Sequence, residues 1–163
     1  MSAAKGSAQT GTCAFCRLDF HAPDAGVVFE DEYSVAFLDH HPLFHGHVLL
    51  IPRTHFETFA DLPHDTLVRV MQNAQLVSRA IESAVQADGI FLAANNRVSQ
   101  SIPHFHLHLV PRRNKDGLKG FFWPRTRYKD GEELARIRDA IRQALARVKM
   151  DPASRPAQEW VLR

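Results

Sequence analysis

Three histidines alternate with apolar residues in the run His104-Phe105-His106-Leu107-His108-Leu109-Val110. Successive side chains of a β-strand point to opposite faces, so the imidazoles share one face while Phe105, Leu107 and Leu109 take the other. Same-face neighbours sit roughly 6.5–7 Å apart, a spacing that suits a row of rings straddling a phosphate or holding a metal. Imidazole is the side chain best suited near neutral pH to act as nucleophile, acid, base or ligand. The plain alternative is an amphipathic strand whose wet face happens to bear histidines. The chain has 10 histidines in 163 residues, so one chance pair is unremarkable, but an alternating triplet beside Ser99-Gln100-Ser101 is a poor match to chance.

The flanks separate metal from phosphate. A catalytic zinc usually wants a nearby carboxylate or an activated water with a general base. No Asp or Glu lies between Asp88 and Asp116. What surrounds the triplet is uncharged and hydrogen-bonding: Asn95, Asn96, Ser99, Gln100 and Ser101. Such groups suit phosphate oxygens, whose charge is best met by donors without competing anions. The pattern favours phosphoryl chemistry. A neutral imidazole in such a row attacks through one free ring nitrogen while the other donates a hydrogen bond.

Ser101-Ile102-Pro103-His104-Phe105-His106-Leu107-His108-Leu109-Val110-Pro111-Arg112 resembles the signature of the histidine-triad (HIT) superfamily of nucleotide hydrolases and transferases. Ala36-Phe37-Leu38-Asp39 and Gly46-His47-Val48-Leu49-Leu50-Ile51-Pro52-Arg53-Thr54-His55 resemble the same family's first half, and Cys13-Ala14-Phe15-Cys16 resembles its zinc-containing bacterial branch. The resemblance implies attack by His106 to form a covalent nucleotidyl-histidine that water hydrolyses, with His108 binding a non-bridging oxygen of the α-phosphate. It implies that His47 helps shape the site; a histidine at a strand start that simply caps backbone groups is the other reading. Gln100 and Ser101 stand where the family places its phosphate-contacting loop, with Asn96 as a further contact; turn formation is the alternative for both asparagines. Asp39 stands at the ribose-binding position, where a carboxylate accepts both hydroxyls. Phe15, Leu18 and Phe37 would wall the base, although such residues are also ordinary core. In one respect the chain departs from the pattern: Ser99 replaces a glycine usual in the family, and no glycine lies between Gly89 and Gly117.

The branch also implies a structural Cys2His2 zinc held by Cys13, Cys16, His55 and His104. Spacing alone does not bring these four together, and a free thiol pair or a redox Cys-x-x-Cys motif stays open. A closed four-ligand site has no open position for substrate.

These residues need elements to hold them. Gly26 to Glu30 and Tyr33 to Leu38 flank Asp31-Glu32 and read as a hairpin. Gly46 to Ile51 is a short apolar run closed by Pro52, read as a buried strand. Asp61 to Ala87 reads as one long helix with Asp61 as N-cap, Pro63 just inside and Gly89 as the stop; its apolar stripe includes Leu67, Val70, Met71, Ala74, Val77, Ile81 and Val85. Ile90 to Ala94 and His104 to Val110 follow as strands. Asp130-Gly131-Glu132-Glu133 is a capping box before a second helix striped by Leu134, Ile137, Ile141, Leu145 and Val148. Hairpins with helices on one side make an α+β domain. The resemblance sharpens this to a HIT-like fold: a five-stranded antiparallel sheet, extended across a homodimer.

The division expected is a flexible leader over 1–12, a HIT domain over 13–150 and an extension over 151–163 in which Trp160 is a candidate anchor. Two cysteines do not make a disulfide framework, and no apolar run reaches the ~18 residues of a membrane span, so the expected compartment is the cytoplasm. A net charge of +2 argues against a dedicated nucleic-acid binder. Arg112, Arg113, Lys115, Lys119, Arg125, Arg127 and Lys129, with the apolar knot at 120–124, read either as a cover that attracts polyphosphate or as a solvated loop. The function expected is hydrolysis at the α-phosphorus of an adenosine 5′-phosphoryl compound, a dinucleoside polyphosphate or a nucleoside phosphoramidate. The competing readings are a nucleotide-binding regulator with incidental turnover, a nucleotidyltransferase or phosphorylase of the same superfamily, and a metallohydrolase using the histidine row as ligands.

Overall fold

The computed structural model describes residues 12–22, 25–118, 128–133 and 135–139. Five strands, β1 (Val27–Glu30), β2 (Ser34–Leu38), β3 (Val48–Pro52), β4 (Gly89–Ala93) and β5 (Leu107–Arg112), form one sheet in the order β1-β2-β3-β5-β4. Every neighbouring pair is antiparallel. Helix α1 (His64–Val85) connects β3 to β4 and covers one face. This is the α+β arrangement expected, and β2 and β3 explain how it closes. Ser34 to Phe37 and all of Val48–Pro52 are buried, so these strands are covered on both faces.

Alternation sorts the two faces. Ala36, Val48, Leu50, Leu107 and Leu109 pack with Phe105 against Val70, Ala74, Val77 and Ile81 of α1. Val35, Phe37, Leu49 and Ile51 project the other way and are covered by Cys13 and Phe15. The hairpin turn is sutured to the helix by a polar knot. Asp31 Oδ1 accepts the N–H groups of Tyr33 (2.9 Å) and Ser34 (2.8 Å), and Asn73 of α1 donates to Asp31 Oδ2 (2.7 Å) and to Ser34 Oγ (2.9 Å). Burial alone would raise the Asp31 carboxyl, but these donors hold it below its ordinary value.

Several boundaries differ from expectation. The helix begins at His64 rather than Asp61, because Leu62 precedes Pro63 and is kept extended (ψ 126°) by the proline ring. Asp61 instead closes a 3-10 turn over Phe59–Asp61, where its Oδ2 accepts from Thr58 N (2.9 Å) and Thr58 Oγ1 (2.7 Å). The helix ends at Val85 through Gln86 in a left-handed conformation (φ 53°), and Gly89 starts β4. Strand β5 begins at Leu107 rather than His104, since the Phe105 N–H is taken by Phe56 O (2.6 Å) and the His104 N–H by Ile102 O (2.8 Å). The alternation of faces nevertheless runs through that segment. Gly46 is needed just before β3: its φ is +97°, and a Cβ there would come within 3.1 Å of Val85 Cγ1.

The chain divides into two compact units, Met1–Asp116 and Gly117–Arg163. In the second, residues 131–133 and 135–139 are helical, and Asp130 Oδ1 caps the Glu133 N–H at 2.8 Å, as its Asp-x-x-Glu pattern implies. Residues 1–11 of the expected 1–12 leader, Lys119, Arg125 and Arg127 of the basic stretch, the 120–124 knot, Leu134, Ile141, Leu145, Val148, Trp160 and the 151–163 extension lie outside the described residues.

Candidate active site and metal centre

His106 is 4% exposed, and its Nδ1 donates to the His104 carbonyl at 2.7 Å. A carbonyl can only accept, so the proton sits on Nδ1 and the Nε2 lone pair is left free. His106 and His108 line a cavity of about 620 Å³. His108 Nδ1 lies 3.0 Å from Nε2 of His47, the residue that leads into β3. His47 Nδ1 accepts the Leu43 backbone N–H at 3.3 Å and stands 3.4 Å from Asp39 Oδ2. A backbone N–H can only donate, so His47 carries its proton on Nε2 and passes a hydrogen bond to His108 Nδ1. His108 is left with Nε2–H as a donor. Burial pushes His108 down to about 4, with His106 and His47 adding and Asp39 opposing; burial likewise lowers His47. His47 and His108 are therefore neutral near pH 7, as neutral donation requires.

The rest of the cavity divides by chemistry. Phe15, Leu18, Phe20, Phe37 and Leu49 give an apolar wall, and Asp39 and Ser101 are polar groups on its lining. Asp39 Oδ1 is held by the His41 N–H at 2.8 Å. Asn96 and Gln100 are outside the described lining. Asn96 Oδ1 accepts from Phe59 N (2.6 Å), while Gln100 donates to Glu57 O (2.7 Å) and accepts from Arg97 N (2.6 Å). Their loop keeps a left-handed backbone without glycine, with φ 65° at Arg97 and φ 58° at Ser99. Sequence reasoning missed Leu49, Phe20, Ile102, His40 and His41, all of which line the cavity. Leu49 had a usable signal, since it alternates against Val48 and Leu50 and pairs with His108.

Behind His106 lies a second cluster. Single ligand atoms of Cys13, Cys16, His55 and His104 all lie within 4.8 Å of one another. His104 Nδ1 is 3.5 Å from both thiol sulfurs, and His55 Nδ1 is 3.4 Å from Cys16 Sγ. With Zn–S about 2.3 Å and Zn–N about 2.0–2.1 Å, a tetrahedral centre sets its S···N edges at about 3.5 Å. His104 donates Nε2–H to Pro52 O at 2.9 Å, which turns the Nδ1 lone pair toward the sulfurs. Burial, with Cys13 alongside, pushes the Cys16 thiol up to about 11, so thiolates here need a cation between them. Both cysteines are free of disulfide. The donor set fits a four-coordinate metal. Asp39, His47 and His108 also cluster; His47 and His108 share a hydrogen bond, and Asp39 stands beside His47.

The HIT domain family model matches residues 22–115. The chain belongs to the HIT family. An adenylylsulfatase of Arabidopsis thaliana is 33% identical over 65% of this HIT chain and 55% of its own length, so the chain spans just over half of that relative. The adenosine 5′-monophosphoramidase of Saccharomyces cerevisiae is 30% identical, covering 69% and 70% of the two chains. Both relatives bear the names of nucleotide hydrolases. Among solved structures, a HIT family member from Bacillus subtilis superposes with a TM-score of 0.70 at 29% identity, over 81% of this chain and 96% of that one. A zinc-bound histidine triad family protein from Mycobacterium smegmatis gives 0.62 at 34% identity, over 84% and 98%.

The depressed His108 value sets a pH dependence. An unfolded histidine titrates near 6.5, so between about 6.5 and about 4 the unfolded chain binds more protons and stability falls as pH falls. In urea titrations across that window, His108→Asn is expected to show a shallower loss than the parent protein. Equal slopes would show that His108 is not held neutral.

Proposed function

We propose that this HIT protein hydrolyses adenosine 5′-phosphoryl compounds at the α-phosphorus through a covalent nucleotidyl-His106. The observation that carries the reading is the His106 Nδ1–H bond to the His104 carbonyl, which frees Nε2 in a residue lining the cavity. Nε2 forms a bond to phosphorus as the bond to the leaving group breaks and its electron pair departs with that group. The phosphorylated ring is then cationic, and its Nδ1–H bond to a carbonyl strengthens as that charge develops. Water attacks next; the P–N bond breaks, its electron pair returns to Nε2, and a nucleoside monophosphate leaves. His108 Nε2–H meets a non-bridging oxygen, Asp39 accepts from the ribose hydroxyls, Ser101 adds a polar contact, and the base lies against Phe37 and Leu18. His47 sets the tautomer of His108. In this reading Asn96 and Gln100 shape the phosphate loop from behind, through their bonds to Phe59 and to Glu57 and Arg97. The names of the two enzyme relatives support small leaving groups, sulfate or an amine; a dinucleoside polyphosphate is the further candidate.

Incubating the protein with adenylylsulfate, an adenosine phosphoramidate and diadenosine polyphosphates, and identifying products by mass, tests this directly. AMP should appear from at least one of them, and His106→Ala should lower the rate by roughly a thousandfold or more. A variant with near-parental turnover would remove His106 from the role.

Zinc is the metal we assign to Cys13, Cys16, His55 and His104, in agreement with the thiolate and imidazole donors and the zinc-bound neighbour. With all four positions taken by protein, it supplies structural cross-linking. Purified protein should contain about one zinc per chain, and Cys13→Ser should lose the metal and lower the melting temperature. Native protein without metal would refute the assignment.

Two chains are proposed to pair through β4, the sheet edge where Phe91 (37%) and Leu92 (45%) are exposed. Light scattering should give about twice the 18.4 kDa chain mass. A value near one chain mass would refute the pairing.

A further inference from the structure

The segment between the two cysteines has a second role that metal binding does not explain. Cys13 and Cys16 bracket Phe15, which opens a 3-10 turn over Phe15–Arg17 and is the buried residue of that turn. The turn has no side-chain cap, and its backbone bonds, Arg17 N to Ala14 O and Leu18 N to Phe15 O, are local. So short a turn has little stability of its own. What seats it on the sheet is the cysteine cluster at one end and the Phe15 ring at the other.

That ring touches both histidines that matter. It stands edge-to-face with His104 (centroids 5.8 Å, 75°), His106 (5.4 Å, 83°) and Phe37 (5.7 Å, 74°). The hydrogen bond from His106 to the His104 carbonyl aims Nδ1–H but tolerates a range of ring tilt, because such bonds weaken steeply only well away from linearity. The plane needs a wall, and Phe15, 6% exposed, is in place to provide one. We propose that Phe15 is a positioning residue that couples the Cys13, Cys16, His55 and His104 centre to the ring orientation of His106. Seating the knuckle presses Phe15 against His106 and holds Nε2 toward the cavity; releasing it removes the wall. Removing the metal therefore loosens the nucleophile, although none of the ligand atoms belongs to His106. The kinetic part of the test rests on His106 being the nucleophile; the spectroscopic part does not.

The test compares the parent protein with Phe15→Leu and Phe15→Tyr at neutral pH, each loaded with zinc and after chelator treatment. Nitrogen-15 imidazole spectra, zinc content and the split between kcat and KM are read. Zinc-loaded Phe15→Leu should keep its metal and fold, while His106 changes from a single Nδ1–H tautomer to a mixture. Its kcat should fall about tenfold to a hundredfold, the scale of a misplaced reacting group. KM should move by less than about threefold, because leucine keeps the wall apolar and the base is placed against Phe37 and Leu18. Phe15→Tyr keeps an aromatic ring at this place and should hold His106 closer to the parent's single-tautomer spectrum, and lose less kcat, than Phe15→Leu does. Chelation should produce the mixed-tautomer spectrum in the parent and no further change in Phe15→Leu, the mark of two perturbations acting through one contact. An unchanged His106 tautomer in zinc-loaded Phe15→Leu would overturn the proposal, as would a raised KM with unaltered kcat, which makes Phe15 only a wall of the binding cavity. If the stripped parent unfolds, the loaded variants still decide. If the parent releases no nucleoside monophosphate, the hydrolase reading fails, and the imidazole spectra alone decide the role of Phe15.

Discussion

An imidazole offers a lone pair only at the nitrogen that lacks the proton, and the His104 carbonyl makes that choice for His106. The carbonyl can do so because His104 is itself immobilised. Its ring is 1% exposed, with Nε2–H on Pro52 O at the end of β3 and Nδ1 against the two cysteine sulfurs. The backbone of one histidine thus orients the next, while its side chain belongs to a different centre.

That arrangement requires a sheet buried on both sides. Helix α1 covers the face bearing Ala36, Leu50 and Leu109, and Cys13 and Phe15 cover the face bearing Phe37 and Leu49. A sheet covered only by the helix would leave Val35, Phe37, Leu49 and Ile51 against water. The knuckle removes that apolar surface from solvent and at the same time builds one wall of the cavity. Cover and cavity wall are one structure, which is why Phe15 is both core and lining.

The electrostatics follow the same economy of groups. Burial, with repulsion from His55 and His106 at one end of the histidine row and from His106 and His47 at the other, keeps His104 and His108 neutral, each at about 4. Neutral rings can be ordered by hydrogen bonds in a way that a cluster of cations cannot. The Leu43 N–H sets the His47 tautomer, and His47 sets that of His108. Asp39 stands beside this chain without taking its proton, so its carboxylate stays available on the cavity lining.

Local rules made much of this legible from the residues alone. Period-two alternation put His106 and His108 opposite Leu107 and Leu109, and that held even where the strand starts later than expected, because the face a side chain takes depends on its immediate backbone. The helical stripe of Val70, Ala74, Val77 and Ile81 was legible for the same reason. The helix start was misplaced because Asp61 and Pro63 are both start signals, and only the extended Leu62 shows which one acts. The loop over 95–100 was read from its chemistry, yet Asn96 and Gln100 bond to Phe59 and Glu57, about forty residues away in sequence. Convergence of Cys13 with His104 spans 91 positions, and no spacing rule reaches that far. The sequence by itself determined which residues are chemically capable and which face of each element they occupy, because those follow from neighbours a few bonds away. Only the tertiary structure decided which capable groups meet and which nitrogen carries each proton, because both depend on partners that the sheet and its two covers bring together.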